Sequence, residues 1–303
     1  MDRDRSFGIS ALIGQIIATQ APCVAYTPRE VKRARAAFSD GEIEELRRLG
    51  LMPGDFEGFY VIRRFCEEWG VSDRADGEYL AALFAQARHL SAADFENDPY
   101  LRAVSFDEVR RGEILLTHAT YERGEIFQYD EPDFTAPLVV PRLGFFDRAV
   151  RFPTVYEGKT PWMSICPSEI NSMREQIAAA RGRVLVLGLG LGYYPFAVAA
   201  RSEVGSITVI ERNPDVIALF CEHILPAFPD REKIWVVQAD ALAYLEGLRG
   251  GEYDYCFADI WEGVVDGAAA YRRIRPHEAR LSDTCFSYWI EPQIRAYLDD
   301  PRR

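Results

Sequence analysis

The stretch from Arg183 to Trp261 constrains this chain more than any other. An apolar run, Val184-Leu185-Val186-Leu187, ends in Gly188-Leu189-Gly190-Leu191-Gly192. Consecutive aliphatic residues of this kind read as a strand buried on both faces. Closely spaced glycines let the turn after it adopt positive φ and bring backbone close to a ligand. A helix predicted over 193–200 would point its first amides at the same place. Three more strands follow at the spacing of successive βα units: 206–210 closing on Glu211, 234–237 leading to Asp240, and 253–258 closing on Asp259. In open α/β sheets, ligands sit just outside the carboxyl ends of the strands. The glycines, Glu211, Asp240 and Asp259 are therefore expected to converge on one nucleotide-cofactor cradle. Taken singly, each has a plainer reading: Leu189 and Leu191 as packing side chains, Glu211 as a solvated strand end, Asp240 as the cap of a helix over 241–248.

The glycine spacing is G-x-G-x-G, and Tyr193 stands where a dinucleotide fingerprint needs its third glycine, which disfavours NAD. Glu211, about 20 residues after Gly192, is placed to accept both hydroxyls of a ribose. The stretch resembles a class I S-adenosylmethionine-dependent methyltransferase, and most of all the spermidine-synthase-like branch. The resemblance rests on the run Val209 to Ile217 closing in Leu225-Pro226, on Asp240-Ala241, and on Tyr253-Asp254 through Asp259. It implies that Gly188, Gly190, Gly192, Glu211, Asp240 and Ala241 hold S-adenosylmethionine, with Asp240 and Ala241 at the adenine. Two departures count against polyamine synthesis. Leu191 replaces the Asp that aminopropyltransferases carry inside the glycine loop. Their Tyr-His-Glu-Met run has only Pro167-Ser168-Glu169-Ile170-Asn171-Ser172-Met173 as a counterpart, although Asp259 and Glu262 echo their acidic pair.

A chain of 303 residues, 48% hydrophobic, can bury a full core and divide into domains. A net charge of -12 argues against nucleic acid or an anionic membrane as partner and suits a cationic small molecule. Cys23, Cys66, Cys166, Cys221, Cys256 and Cys285 form no C-x-x-C pair and read as buried free thiols in a reducing, cytoplasmic compartment. Four scattered histidines give no metal-ligand spacing, so no metal is expected. The apolar stretch 7–25 has a neutral flank, Asp2-Arg3-Asp4-Arg5, and reads as a first core helix and not a cleaved signal.

Helical periodicity runs from Pro28 to about Arg110, with breaks at Ser39-Asp40-Gly41, Met52-Pro53-Gly54-Asp55 and 73–77. Short β-prone runs follow at 114–117, 136–140, 149–152 and 162–165. A helix over 168–180, capped by Ser168, should lie over the cofactor site. After Trp261, helices are predicted over 268–274 and 286–298, which leaves the sheet truncated or completed by strands from before residue 166. Arg272, Arg273, Arg275 and Arg280 read as a solvated helix face. The expected organisation is α/β: a helical accessory domain over 1–110, a small β segment over 111–166, and a Rossmann-like parallel sheet over 167–303.

These readings point to a methyltransferase for a small, amine-bearing acceptor, with Asp259 as base or amine-orienting group and Glu262, Trp261 and Tyr193 lining the pocket. An aminopropyltransferase and a non-catalytic S-adenosylmethionine-binding module, the latter favoured by the short tail, are the alternatives. A homodimer is compatible with the sequence.

Overall fold

A computed structural model describes residues 2–52, 54–134 and 136–299; Pro53, part of one expected break, lies outside them. The chain divides into two compact units, 1–97 with 120–151, and 98–119 with 152–303. These boundaries differ from divisions at 110 and 166. Residues of the β-prone region are shared between the units, because a strand joins whichever core its side chains can be buried in.

The first unit packs helices against a three-stranded sheet of 88–90, 142–146 and 127–130. Its first helix, Arg3–Gln20, is capped by Asp2 and buries Ile9, Ile13 and Ile16. Those residues share a core with Val61, Phe65, Tyr79 and Leu83 from the helices Phe56–Glu68 and Gly77–Gln86. Residues 136–140 form no strand, contrary to the sequence pattern.

The second unit contains the parallel sheet. Its strands are β1 (Gly182–Leu187), β2 (Val204–Glu211), β3 (Ile234–Gln238), β4 (Tyr255–Ala258) and β5 (Cys285–Tyr288), in the order β3-β2-β1-β4-β5. Every pairing is parallel. Side chains alternate across the sheet. Val184 and Val186 of β1, with Tyr255 and Phe257 of β4, enter one core, while Leu185 and Leu187, with Cys256 and Ala258, enter the other. Burial on both faces is what the unbroken aliphatic run of β1 requires. The architecture is a Rossmann-like α/β fold.

The sheet is not cut short at four strands, nor completed from before residue 166. Residues 285–288, of which 286–288 were expected to be helical, form β5 against β4, with Ala258 opposite Tyr288. The last helix, Glu291–Leu298, starts after them and carries Pro292 in its first turn, where the missing N–H costs nothing. The preceding helix is longer than expected, Val264–Arg280, and continues through Pro276. Arg280 is not simply solvated: its guanidinium donates to the carbonyls of Leu245 and Leu248, closing the C-terminal end of the helix Ala241–Gly247. Residues 168–180 form two short helices, Pro167–Ser172 and Arg174–Ala179, and Cys166 instead of Ser168 occupies the first N-cap.

All six cysteines are free thiols, but only Cys66, Cys166 and Cys256 are buried; Cys23, Cys221 and Cys285 are exposed, contrary to the expectation of uniform burial. Burial pushes the Cys66 thiol up to about 12 and raises that of Cys256 as well. Native protein should therefore expose three thiols to an aromatic disulfide reagent, and denatured protein six, without prior reduction. A pair that reacts only after reduction would contradict this.

Candidate functional site

The ladder of the parallel sheet continues one rung past the strands and aligns their carboxyl ends. The Gly188 N–H donates to the Ile210 carbonyl (2.9 Å), the Asp259 N–H to Leu187 (2.8 Å), the Ala239 N–H to Glu211 (3.0 Å) and the Trp289 N–H to Ala258 (3.0 Å). Beyond these ends lies a cavity of about 270 Å³ lined by Gly188, Leu189, Gly190, Glu211, Asp240, Ala241, Asp259 and Glu262, among others. Four consecutive strand ends thus meet at one place, and eight of the ten residues expected at the site or in its wall border it.

Gly192 and Tyr193 are the exceptions. Gly192 has positive φ, but a side chain there would strike the Phe220 ring, and it does not line the cavity. Tyr193 is also displaced from its expected position in the pocket wall: it is buried, and its hydroxyl donates to Asp98 Oδ2 (3.0 Å).

The glycine loop is shaped by the protein's own atoms. At Gly188 (φ +97) a Cβ would lie 1.9 Å from the Asp259 carbonyl oxygen, and at Gly190 (φ +52) one would lie 2.2 Å from Met163 Sδ. Backbone in the left-handed region and this close approach both exclude a side chain. The loop's amides are engaged too: the Leu189 N–H donates to Glu211 Oε2 (3.3 Å) and the Leu191 N–H to Met163 Sδ (3.3 Å). From the other side the Tyr100 hydroxyl donates to the Leu191 carbonyl (2.5 Å). Leu189 and Leu191 are buried packing residues, as their plainer reading had it.

Glu211 is 4% exposed, a buried carboxylate. Besides the Leu189 amide it accepts the Asn213 N–H through Oε1 (2.8 Å). An ionised carboxylate has about four acceptor positions, so each oxygen keeps capacity for one more donor. Asp240 combines two roles. Its Oδ1 caps the helix Ala241–Gly247 by accepting the Leu242 and Ala243 amides, while Oδ2 accepts no hydrogen bond from the described residues.

Asp259 is a strongly perturbed group of the site. It borders the cavity, no described side chain or amide bonds to its carboxylate, and burial pushes that carboxyl up to about 7. Asp254, just before the other end of the same strand, shows the opposite case. The Arg183 guanidinium and amide hold its carboxyl down to about 2. Glu262 is exposed at the rim, where its N–H donates to Asp266 Oδ2 (2.8 Å). The remaining wall includes Glu157, Trp162, Met163, Glu169, Trp261 and Trp289. Among the described residues, seven carboxylates and one guanidinium, Arg212, border the cavity. Sequence reasoning noted Glu169 only as a poor counterpart to a family run, and missed Glu157, Met163 and Trp289.

No family model matches the chain, and no curated protein does. Among solved structures it is similar to a conserved hypothetical protein of Streptococcus pyogenes, at 20% identity over 36% of this chain and 64% of that one (TM-score 0.28). It is also similar to spermidine synthase from Thermotoga maritima, at 15% identity over 40% of this chain and 49% of that one (TM-score 0.30). The chain spans less than two thirds of the length of either. No helix of the described residues is long and apolar enough to cross a membrane.

Proposed function

We propose that the cavity binds the adenosyl group of S-adenosylmethionine and that the chain transfers the donor's methyl group to a small amine-bearing molecule. The observation that carries this reading is that Gly188, Glu211 and Asp240, at three adjacent strand ends, border one cavity. The residues fit the group. Glu211 has two acceptor positions left for the vicinal hydroxyls of a ribose, and Asp240 Oδ2 is left for an exocyclic amine. Ala241 gives the adenine a small, apolar neighbour.

When bound, S-adenosylmethionine supplies an electrophilic methyl carbon, and the protein's task is alignment and proton removal. Asp259 suits the second. With a carboxyl near 7 it can accept a proton from an ammonium acceptor and release it at neutral pH. Glu262 and Asp266, at the rim, add negative charge that attracts a cationic acceptor. That the tail provides β5 and the wall residue Trp289 supports a complete site over a non-catalytic module.

One observation favours aminopropyl transfer as a second reading: among the described residues the cavity offers a single guanidinium, Arg212, to a donor's carboxylate. A decarboxylated donor would need none. Thermal shift with S-adenosylhomocysteine, S-adenosylmethionine and decarboxylated S-adenosylmethionine separates the two. Stabilisation by the first two supports methyl transfer. Stabilisation by the decarboxylated donor alone shifts the assignment to aminopropyl transfer, and stabilisation by none of them removes both.

A further inference from the structure

The acceptor side of the cavity has a chemistry that the donor reading does not use. Three of the chain's five tryptophans border it, each from a different part of the second unit. Trp162 lies on the strand Thr160–Ser164, Trp261 follows β4, and Trp289 follows β5. Trp289 is held at both ends. Its backbone N–H donates to Ala258, and its indole Nε1–H donates to Ser172 Oγ (2.8 Å). Trp162 and Trp289 are partly buried: both pack against the core on one face of the sheet, Trp289 against the other core as well, and both border the cavity. Trp261 is 6% exposed, and its indole N–H has no acceptor among the described residues.

The same wall carries Glu169 and Asp259, and Asp259 lies one rung beyond the Ala258–Tyr288 pair, level with Trp289. Indole faces attract cations more strongly than other aromatic rings do. Carboxylates alone would satisfy a compact, hydrated ammonium, and indoles alone would suit a neutral apolar ligand. The two together match a positive charge spread over carbon substituents. A neutral or anionic acceptor would have to sit among carboxylates that attract neither.

We infer that the acceptor end takes an organic cation bearing apolar substituents on nitrogen, an alkylated or arylalkyl amine, seated against Trp162 and Trp289 with Glu169 and Asp259 as counter-charges. The inference rests on the donor reading, since it assigns that site's second substrate.

Calorimetry tests it on the whole chain, with S-adenosylhomocysteine present and absent. The probes are benzyltrimethylammonium, choline, choline's neutral isostere 3,3-dimethylbutan-1-ol, and putrescine. The two alkylated cations are expected to bind at least about tenfold more tightly than the neutral isostere and more tightly than putrescine. Trp289→Ala should weaken benzyltrimethylammonium about tenfold and Trp289→Phe less, and each should weaken S-adenosylhomocysteine less than it weakens the cation. Should Trp289→Ala fail to fold, Trp162→Ala carries the same expectation.

Equal binding of choline and its isostere overturns the inference, as does tighter binding of putrescine. Binding of S-adenosylhomocysteine with no binding of either alkylated cation overturns the inference and leaves the donor reading intact. Cation binding that Trp289→Ala weakens, in a protein that does not bind S-adenosylhomocysteine, supports the cation site and removes the donor reading.

Discussion

Asp259→Asn is expected to lower turnover by about 10² to 10⁴ while leaving donor affinity nearly unchanged, because a lost general base is felt in the transition state and not in donor binding. The wild-type pH profile provides a second readout. Only the ionised carboxylate accepts a proton, so turnover should rise with pH up to about 7 and then level off, and the variant should lack that rise. Stability should move the other way. The folded carboxyl keeps its proton up to about 7, whereas the unfolded chain releases it near the ordinary aspartate value of about 3.9. Between those values the folded state binds the extra proton, so stability falls as pH rises through the window, and the full penalty is present above it. Asp259→Asn removes that penalty. The variant should therefore melt higher than the wild type at pH 8 and match it below pH 4. Wild-type turnover in the variant, once an acceptor is found, would leave Asp259 a structural residue and favour alignment without a base.

Glu211→Ala is expected to weaken S-adenosylhomocysteine by roughly tenfold to a hundredfold, the value of paired hydrogen bonds to a charged group. Part of the loss would come through the loop, because the Leu189 and Asn213 amides lose their acceptor along with the ligand. Glu211→Gln separates the two contributions: its amide oxygen can still accept, so affinity should lie between those of wild type and alanine. Calorimetry on folded variants reads both. Unchanged affinity in Glu211→Ala would remove the ribose assignment.

The sequence made the strand-end cavity legible because its elements are local. Each βα unit carries its strand and the residue that ends it, so Glu211, Asp240 and Asp259 could be placed before any tertiary contact was known. The reason for the glycines was not legible. Gly188 and Gly190 are required by the Asp259 carbonyl and Met163, which are distant in sequence. The glycines are thus required by the protein's own packing, whereas the sequence suggested close approach to a ligand as their cause. Strand β5 was missed for a related reason. Four residues, Cys285–Tyr288, carry too little local preference to announce a strand, and their pairing partner lies about thirty residues earlier in β4. Losing β5 meant losing Trp289 from the site. Tyr193 misled in the opposite direction: its place after the loop suggested the pocket, but Asp98 draws its hydroxyl away.

The central claim is that the strand-end cavity is an adenosyl site, and a crystal structure of the protein with S-adenosylhomocysteine tests it most directly. The expected result is a ligand in the cavity with both ribose hydroxyls about 2.7 Å from the Glu211 carboxylate and the adenine amine directed at Asp240. A ligand bound elsewhere, or a cavity left empty at saturating ligand in solution and crystal alike, would contradict it.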